Sequence, residues 1–180
     1  MIIQSRRAML RSPTSNDMPI LLKWRNSFDF RSYCTMRRDA VDMDQFRMEL
    51  DRDFKFDRHL QLMICRVPDG QAVGTIYSYN LNSGDGHVFI TMYIDDAYRN
   101  SVFAIRALAL FASYLFEEFG LYKIYCEVYS HNKACLPLFE RSGWTKEGVF
   151  TGHKKIGDNR SDLVRFTFFA SDREKLNRYQ

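Results

Sequence analysis

Apolar residues recur at helical spacing most clearly where Ile105, Leu108, Ala109, Ala112, Leu115, Phe116 and Phe119 share one face. Gly120 follows, suited to a left-handed helix end, and together these predict a long helix. Over His87–Ile94 the period is two instead. Val88, Ile90, Met92 and Ile94 form one face, and His87, Phe89, Thr91 and Tyr93 the other. Both faces carry apolar bulk, which predicts a central strand covered on both sides. Leu121–Tyr129 reads as another buried strand. Pro68-Asp69-Gly70 predicts a hairpin between His59–Val67 and Gln71–Leu81, and Asn82-Ser83-Gly84-Asp85-Gly86 is the next turn. Nearer the N-terminus, a short strand Ala8–Arg11 ends before Pro13. Thr14 and Asp17 then form a capping-box variant that opens a helix over Ser15–Asn26. A polar loop, Ser27–Asp42, leads to a second helix over Met43–Phe54. Asn132–Arg141 reads as a short helix before Gly143. Trp144–Lys155 and Asp162–Ala170 read as a closing hairpin, and Ser171–Gln180 as a frayed polar tail.

The predicted order is β-α-α-β-β-β-α-β-α-β-β. Helices interleaved with strands around an antiparallel run imply a three-layer α/β (α+β) fold. Its mixed, mostly antiparallel sheet of about seven strands would carry helices on both faces. At 180 residues a single domain is expected. Hydrophobic residues at 46% supply a core, and 27% charged residues argue against disorder. The net charge of +4 is too small to predict nucleic-acid binding but suits an anionic cofactor or acidic partner. The four cysteines, Cys34, Cys65, Cys126 and Cys135, form no C-x-x-C pair, which argues against zinc or thioredoxin chemistry. Cys65 and Cys126 fall in apolar strands, and reduced core thiols predict a cytoplasmic setting. No apolar signal-peptide core follows Met1. Val102–Phe116, interrupted by Arg106, is too short to span a bilayer, so no membrane partner is expected.

The segment from Ala97 to Gly148 points to chemistry. Asn132 follows the carboxyl end of a buried strand, the position where ligands enter open α/β sheets. The element order, taken with Ile94-Asp95-Asp96-Ala97-Tyr98-Arg99, Asn132-Lys133-Ala134-Cys135 and Phe139-Glu140-Arg141-Ser142-Gly143-Trp144, resembles the GNAT superfamily of N-acyltransferases. Leu21-Leu22-Lys23-Trp24-Arg25-Asn26 and Asp162 fit the same pattern. The branch most resembled acetylates ribosomal-protein N-termini, with aminosugar N-acetyltransferases close behind.

The resemblance implies that acetyl-CoA, or another acyl-CoA, binds where His87–Ile94 and Leu121–Tyr129 part, with no metal required. It assigns the oxyanion donor to backbone N–H groups near Met92, Tyr93 and Ile94. The diphosphate falls to Arg99, Asn100, Ser101, Val102, Phe103 and Ala104, where a helix N-terminus offers free N–H groups and positive potential. Asn132 would hold the pantetheine arm or a water, or else serve as an N-cap. Trp24, Arg25, Asn26 and Asp29 would line the acceptor pocket, with core packing as the alternative for Trp24. The acceptor would be a small amine, an aminosugar or a protein N-terminus.

Three departures from the family pattern leave alternatives open. Val102 stands where glycine is usual and is expected to narrow the phosphate cradle. Phe139 replaces a proton-donating tyrosine, leaving Cys135 as a weak acid or a packing residue. Phe89 replaces a glutamate, leaving His87 as a candidate base or an exposed strand end. A donor on an acyl carrier protein or aminoacyl-tRNA, or a non-catalytic binding module, are therefore the competing expectations. A homodimer is a further one.

Overall fold

Within the strand Arg58–Arg66, Leu62 and Ile64 enter one apolar cluster while Met63 and Cys65 enter another. Successive side chains of a strand point to opposite faces, so the sheet is a middle layer buried on both sides. The computed structural model describes residues 1–67, 69–99 and 102–179. Among them the strands are β1 (Ile2–Gln4), β2 (Ala8–Arg11), β3 (Arg58–Arg66), β4 (Ala72–Asn82), β5 (His87–Ile94), β6 (Lys123–Tyr129), β7 (Thr145–Ile156) and β8 (Asn159–Phe169). They form one sheet in the order β1-β2-β3-β4-β5-β6-β8-β7. Every neighbouring pair is antiparallel except β5–β6, which is parallel. A parallel pair needs a crossover, supplied here by the helix Phe103–Phe119.

The helices are α1 (Met18–Asn26), α2 (Met43–Phe56), α3 (Phe103–Phe119) and α4 (Leu136–Arg141). On one face, α3 and α4 cover Leu10, Leu62, Ile64, Ile90 and Ile124 with Leu108, Phe111, Leu115 and Phe139. On the other, α1 and α2 cover Met63, Cys65, Tyr77 and Tyr93 with Leu21, Trp24 and Phe46. Arg11 and Asp17 tie β2 to the start of α1 through two 2.7 Å hydrogen bonds, while the same carboxylate receives the Thr14 N–H at 2.7 Å.

The structure departs from the sequence expectations in four places. Ile2–Gln4 pairs with β2 and adds an eighth strand. The expected polar loop contains a π-helix, Phe30–Cys34, anchored because Phe30 is buried against Tyr93. The short helix begins at Leu136 rather than Asn132, because 133–135 form turns and Pro137 sits in its first turn. Ala170–Tyr179 is a 3-10 helix rather than a frayed tail, because Leu176 buries itself in the α3 core.

Gly74 fixes how closely β4 and β5 approach. It lies opposite Ile94, and a Cβ there would collide with the Tyr93 carbonyl oxygen. Gly74→Ala is expected to cost about 1–3 kcal/mol. This corresponds to a melting temperature lower by roughly 3–10 °C. Thermal denaturation followed by circular dichroism measures it, and an unchanged midpoint contradicts the close approach.

Candidate active site

Pairing between β5 and β6 stops at Ile90 and Cys126, although β5 continues to Ile94 and β6 to Tyr129. The unpaired ends border a cavity of about 180 Å³ that Arg99, Ala104, Asn132 and Cys135 also line. Backbone direction alternates along β5. The Tyr93 carbonyl lies against Gly74 of β4, and the Asp95 N–H donates to Val73 at 2.9 Å. Met92 and Ile94 therefore turn their backbone groups away from β4 and into the gap. Two contacts agree: the Met92 carbonyl accepts the Cys34 thiol at 3.6 Å, and the Ile94 carbonyl accepts Arg99 Nε at 3.4 Å. The N–H groups of Met92 and Ile94 consequently face the gap, whereas the Tyr93 backbone faces β4.

At the head of α3, Val102 has φ −72° and ψ −8°, ordinary right-handed values, and is 40% exposed. It does not line the cavity, which reaches the first turn at Ala104 instead. Val102 therefore sits without backbone strain, and its side chain does not border the first cavity. Phe103 packs edge-on against Tyr98. Asn100 and Ser101 lie outside the described residues. A helix N-terminus carries positive potential, so this corner suits an anion.

A second cavity, of about 440 Å³, opens beside the first, and Tyr33, Cys34, Thr91, Glu127 and Tyr129 line both. Glu127 is the carboxylate where the two cavities meet. Its Oε1 accepts both Arg165 hydrogen bonds, at 3.0 and 2.6 Å, and Oε2 accepts none from the described residues. Tyr77 and Tyr79 wall the second cavity. Arg37 and Arg58 also reach it, but both are bound to Asp53. Glu127 was absent from the sequence expectations. Its signal was a lone charge within the apolar run Ile124-Tyr125-Cys126-Glu127-Val128-Tyr129.

Several expected site residues do other work. Trp24 is buried in the α1–α2 core and donates its indole N–H to Asp95 at 2.6 Å, so it packs rather than lines the acceptor cavity. Arg25, also buried, binds Glu49 through two 2.9 Å hydrogen bonds. The Asn26 amide bridges both backbone groups of Val41, fixing the loop before α2. His87 packs edge-on against Phe89 and Tyr125 at the far end of β5 and lines neither cavity. Phe139 is buried, stacked on Phe166 and edge-on to Trp144. His131 accepts or donates at Ser161 Oγ over 2.7 Å and stacks on Tyr33. Burial, then Lys154 and Lys133, lower its pKa, so it is neutral at pH 7. Asp29, Arg99, Asn132 and Cys135 do meet at the first cavity.

Comparison with known proteins supplies independent findings. The family model described as acetyltransferase (GNAT) domain matches residues 7–145. A curated relative from Bacillus subtilis, Probable N-acetyltransferase YjcK, is 26% identical over 121 residues, which are 67% of this chain and 64% of that protein. The match thus spans less than two thirds of the relative's length. Spermidine N-acetyltransferase from Vibrio cholerae, solved with CoA and spermine, superposes with a TM-score of 0.83 at 17% identity, covering 94% of this chain and 99% of that one. A GCN5-related N-acetyltransferase from Brucella melitensis superposes with a TM-score of 0.79 at 21% identity, covering 100% of this chain and 84% of that one. At these identities the structural likeness establishes the fold.

Three thiols border the first cavity, and burial raises the pKa of each: Cys34 to about 12, Cys135 to about 11, and Cys126 well above its usual value. All three are protonated at pH 7, and the thiol is not the nucleophilic form. Iodoacetamide at pH 7.5 is therefore expected to label them far more slowly than an exposed cysteine, with labelling of Cys135 accelerating above about pH 10. Mass spectrometry of labelled peptides reads this. Rapid labelling of Cys135 at pH 7.5 would reveal a thiolate and contradict its burial as a neutral thiol.

Proposed function

Because this chain belongs to the acetyltransferase (GNAT) domain family, we propose that it transfers an acetyl group from acetyl-CoA to a primary amine by direct attack. The observation that carries this reading is the parting of β5 and β6, with two adjoining cavities that share Glu127. The coenzyme supplies a thioester carbonyl, and the residues of the gap fit it. Met92 and Ile94 offer N–H groups to the carbonyl oxygen as it gains charge. Asn132 stands beside the cleft to hold an amide-bearing arm. The head of α3 and Arg99 form the anion-binding corner.

Glu127 takes the proton that a protonated amine must lose before attack. Phe139 has no proton to return to the departing sulfur. Groups lining the first cavity that do include the thiols of Cys34, Cys126 and Cys135 and the hydroxyls of Tyr33, Tyr93, Tyr98 and Tyr129. Val102, together with the mildly basic charge, was the reason to consider a donor other than CoA. Its exposed, unstrained position favours CoA.

For the acceptor, a cavity of about 440 Å³ walled by Tyr33, Tyr77, Tyr79 and Tyr129 is the size of a small-molecule site and favours a compact amine. The Vibrio cholerae relative, named for spermidine, supports the small-amine class. The resemblance to the ribosomal branch favours a polypeptide N-terminus.

Thiol release from acetyl-CoA over a panel of small primary amines, aminosugars and N-terminal peptides tests the activity and assigns the acceptor. Glu127→Gln is expected to lower kcat at pH 7 by about 10²–10⁴-fold while retaining CoA binding and thermal stability. The loss is expected to shrink as pH approaches the amine's own pKa, about 10 for an alkylamine, where attack no longer needs a base. An unchanged kcat in Glu127→Gln removes the assigned base. Absence of thiol release across the panel overturns the activity.

A further inference from the structure

Arg99, the cation beside the anion-binding corner, is already engaged. One guanidinium nitrogen binds the Asp29 carboxylate and another binds Asp96. Asp96 is a local partner three residues away and mostly exposed. Asp29 reaches across from a segment 70 residues earlier and immediately precedes the π-helix Phe30–Cys34. That π-helix carries Tyr33 and Cys34, which border both cavities. Asp29 therefore joins the corner expected to receive the donor's diphosphate to the segment that walls the acceptor cavity. Its charge is felt there: burial first, then Asp29, raises the Tyr33 hydroxyl pKa.

Resting on the CoA-dependent reading of this cleft, we propose that Asp29 is a positioning residue that couples donor binding to acceptor binding through Arg99. A diphosphate carries more charge than a carboxylate and offers the guanidinium fork several oxygens, so it is the stronger partner. When it takes Arg99, the Asp29 carboxylate loses its cation at the mouth shared with Tyr33. The freed carboxylate changes the charge felt by Tyr33, which borders both cavities. The exchange favours donor before acceptor. It also has a thermodynamic signature: a contact that must break for a ligand to bind lowers that ligand's apparent affinity.

The test uses the full chain with CoA as the probe, titrated calorimetrically at low ionic strength. Asp29→Asn is expected to bind CoA roughly two- to fivefold more tightly than the wild type, the range set by a partly exposed ion pair. Removing a negative charge could raise affinity for an anion without involving Arg99, so the decisive comparison is made in an Arg99→Gln background. There the Asp29→Asn gain is expected to vanish. Addition of CoA is also expected to speed amide exchange across residues 29–34 in the wild type and to leave it unchanged in Asp29→Asn. An unchanged or weakened CoA affinity in Asp29→Asn overturns the coupling, as does a gain that persists without Arg99. Failure of the wild type to bind CoA at all strikes the functional reading itself, a result distinct from either.

Discussion

Between β5 and β6 the chain forms four rungs of parallel pairing and then stops, leaving the last residues of both strands without each other. This interruption is tolerable only because the backbone on the far side of β5 stays paired with β4 as far as Ile94. Half of the polar groups at the free end of β5 are thus satisfied by the sheet, and the other half face a cleft. Buried backbone donors left without a partner are costly, so such a gap is stable when water or a ligand completes it. The same arrangement that weakens the sheet provides fixed N–H groups where charge would develop during acyl transfer.

The rest of the molecule holds that gap open at a defined width. On one side α3, α4 and the C-terminal 3-10 helix pack Phe111, Phe139 and Leu176 into a single apolar cluster, which fixes the head of α3 against the cleft. On the other, α1, α2 and the π-helix lock onto Tyr77 and Tyr93 through Trp24, Phe30 and Phe46. A network of Arg25, Glu49, Arg37, Asp53 and Arg58 then ties the loop after the π-helix to α2 and β3. The acceptor cavity is walled by elements whose positions these contacts determine. Its chemistry comes from Tyr77 and Tyr79 on β4, Glu127 and Tyr129 on β6, and Tyr33 on the π-helix.

The sheet and α3 were legible in the sequence because period-two and period-3.6 patterns report burial directly. Arg99 and Asn132 were singled out through resemblance, and both line the first cavity. Features set by long-range contacts were not. The strand Ile2–Gln4 exists only because β2 lies beside it, and the π-helix only because Phe30 finds Tyr93. Trp24, Arg25 and Asn26 looked like pocket residues, yet each is consumed by a partner far along the chain: Asp95, Glu49 and Val41. His87 pointed to base chemistry by its residue type, while its place at the paired end of β5 keeps it from the gap. Glu127 carried the useful signal, a charge in a strand otherwise built for burial, and only the sheet register shows that it meets both cavities.

A crystal structure of the chain with CoA or an unreactive acetyl-CoA analogue tests the central claim most directly. The pantetheine arm is expected between the free ends of β5 and β6, its acyl oxygen within hydrogen-bonding distance of the Met92 or Ile94 N–H, and its diphosphate at the head of α3. Coenzyme bound elsewhere, with the β5–β6 gap filled only by water or closed by renewed strand pairing, would contradict it.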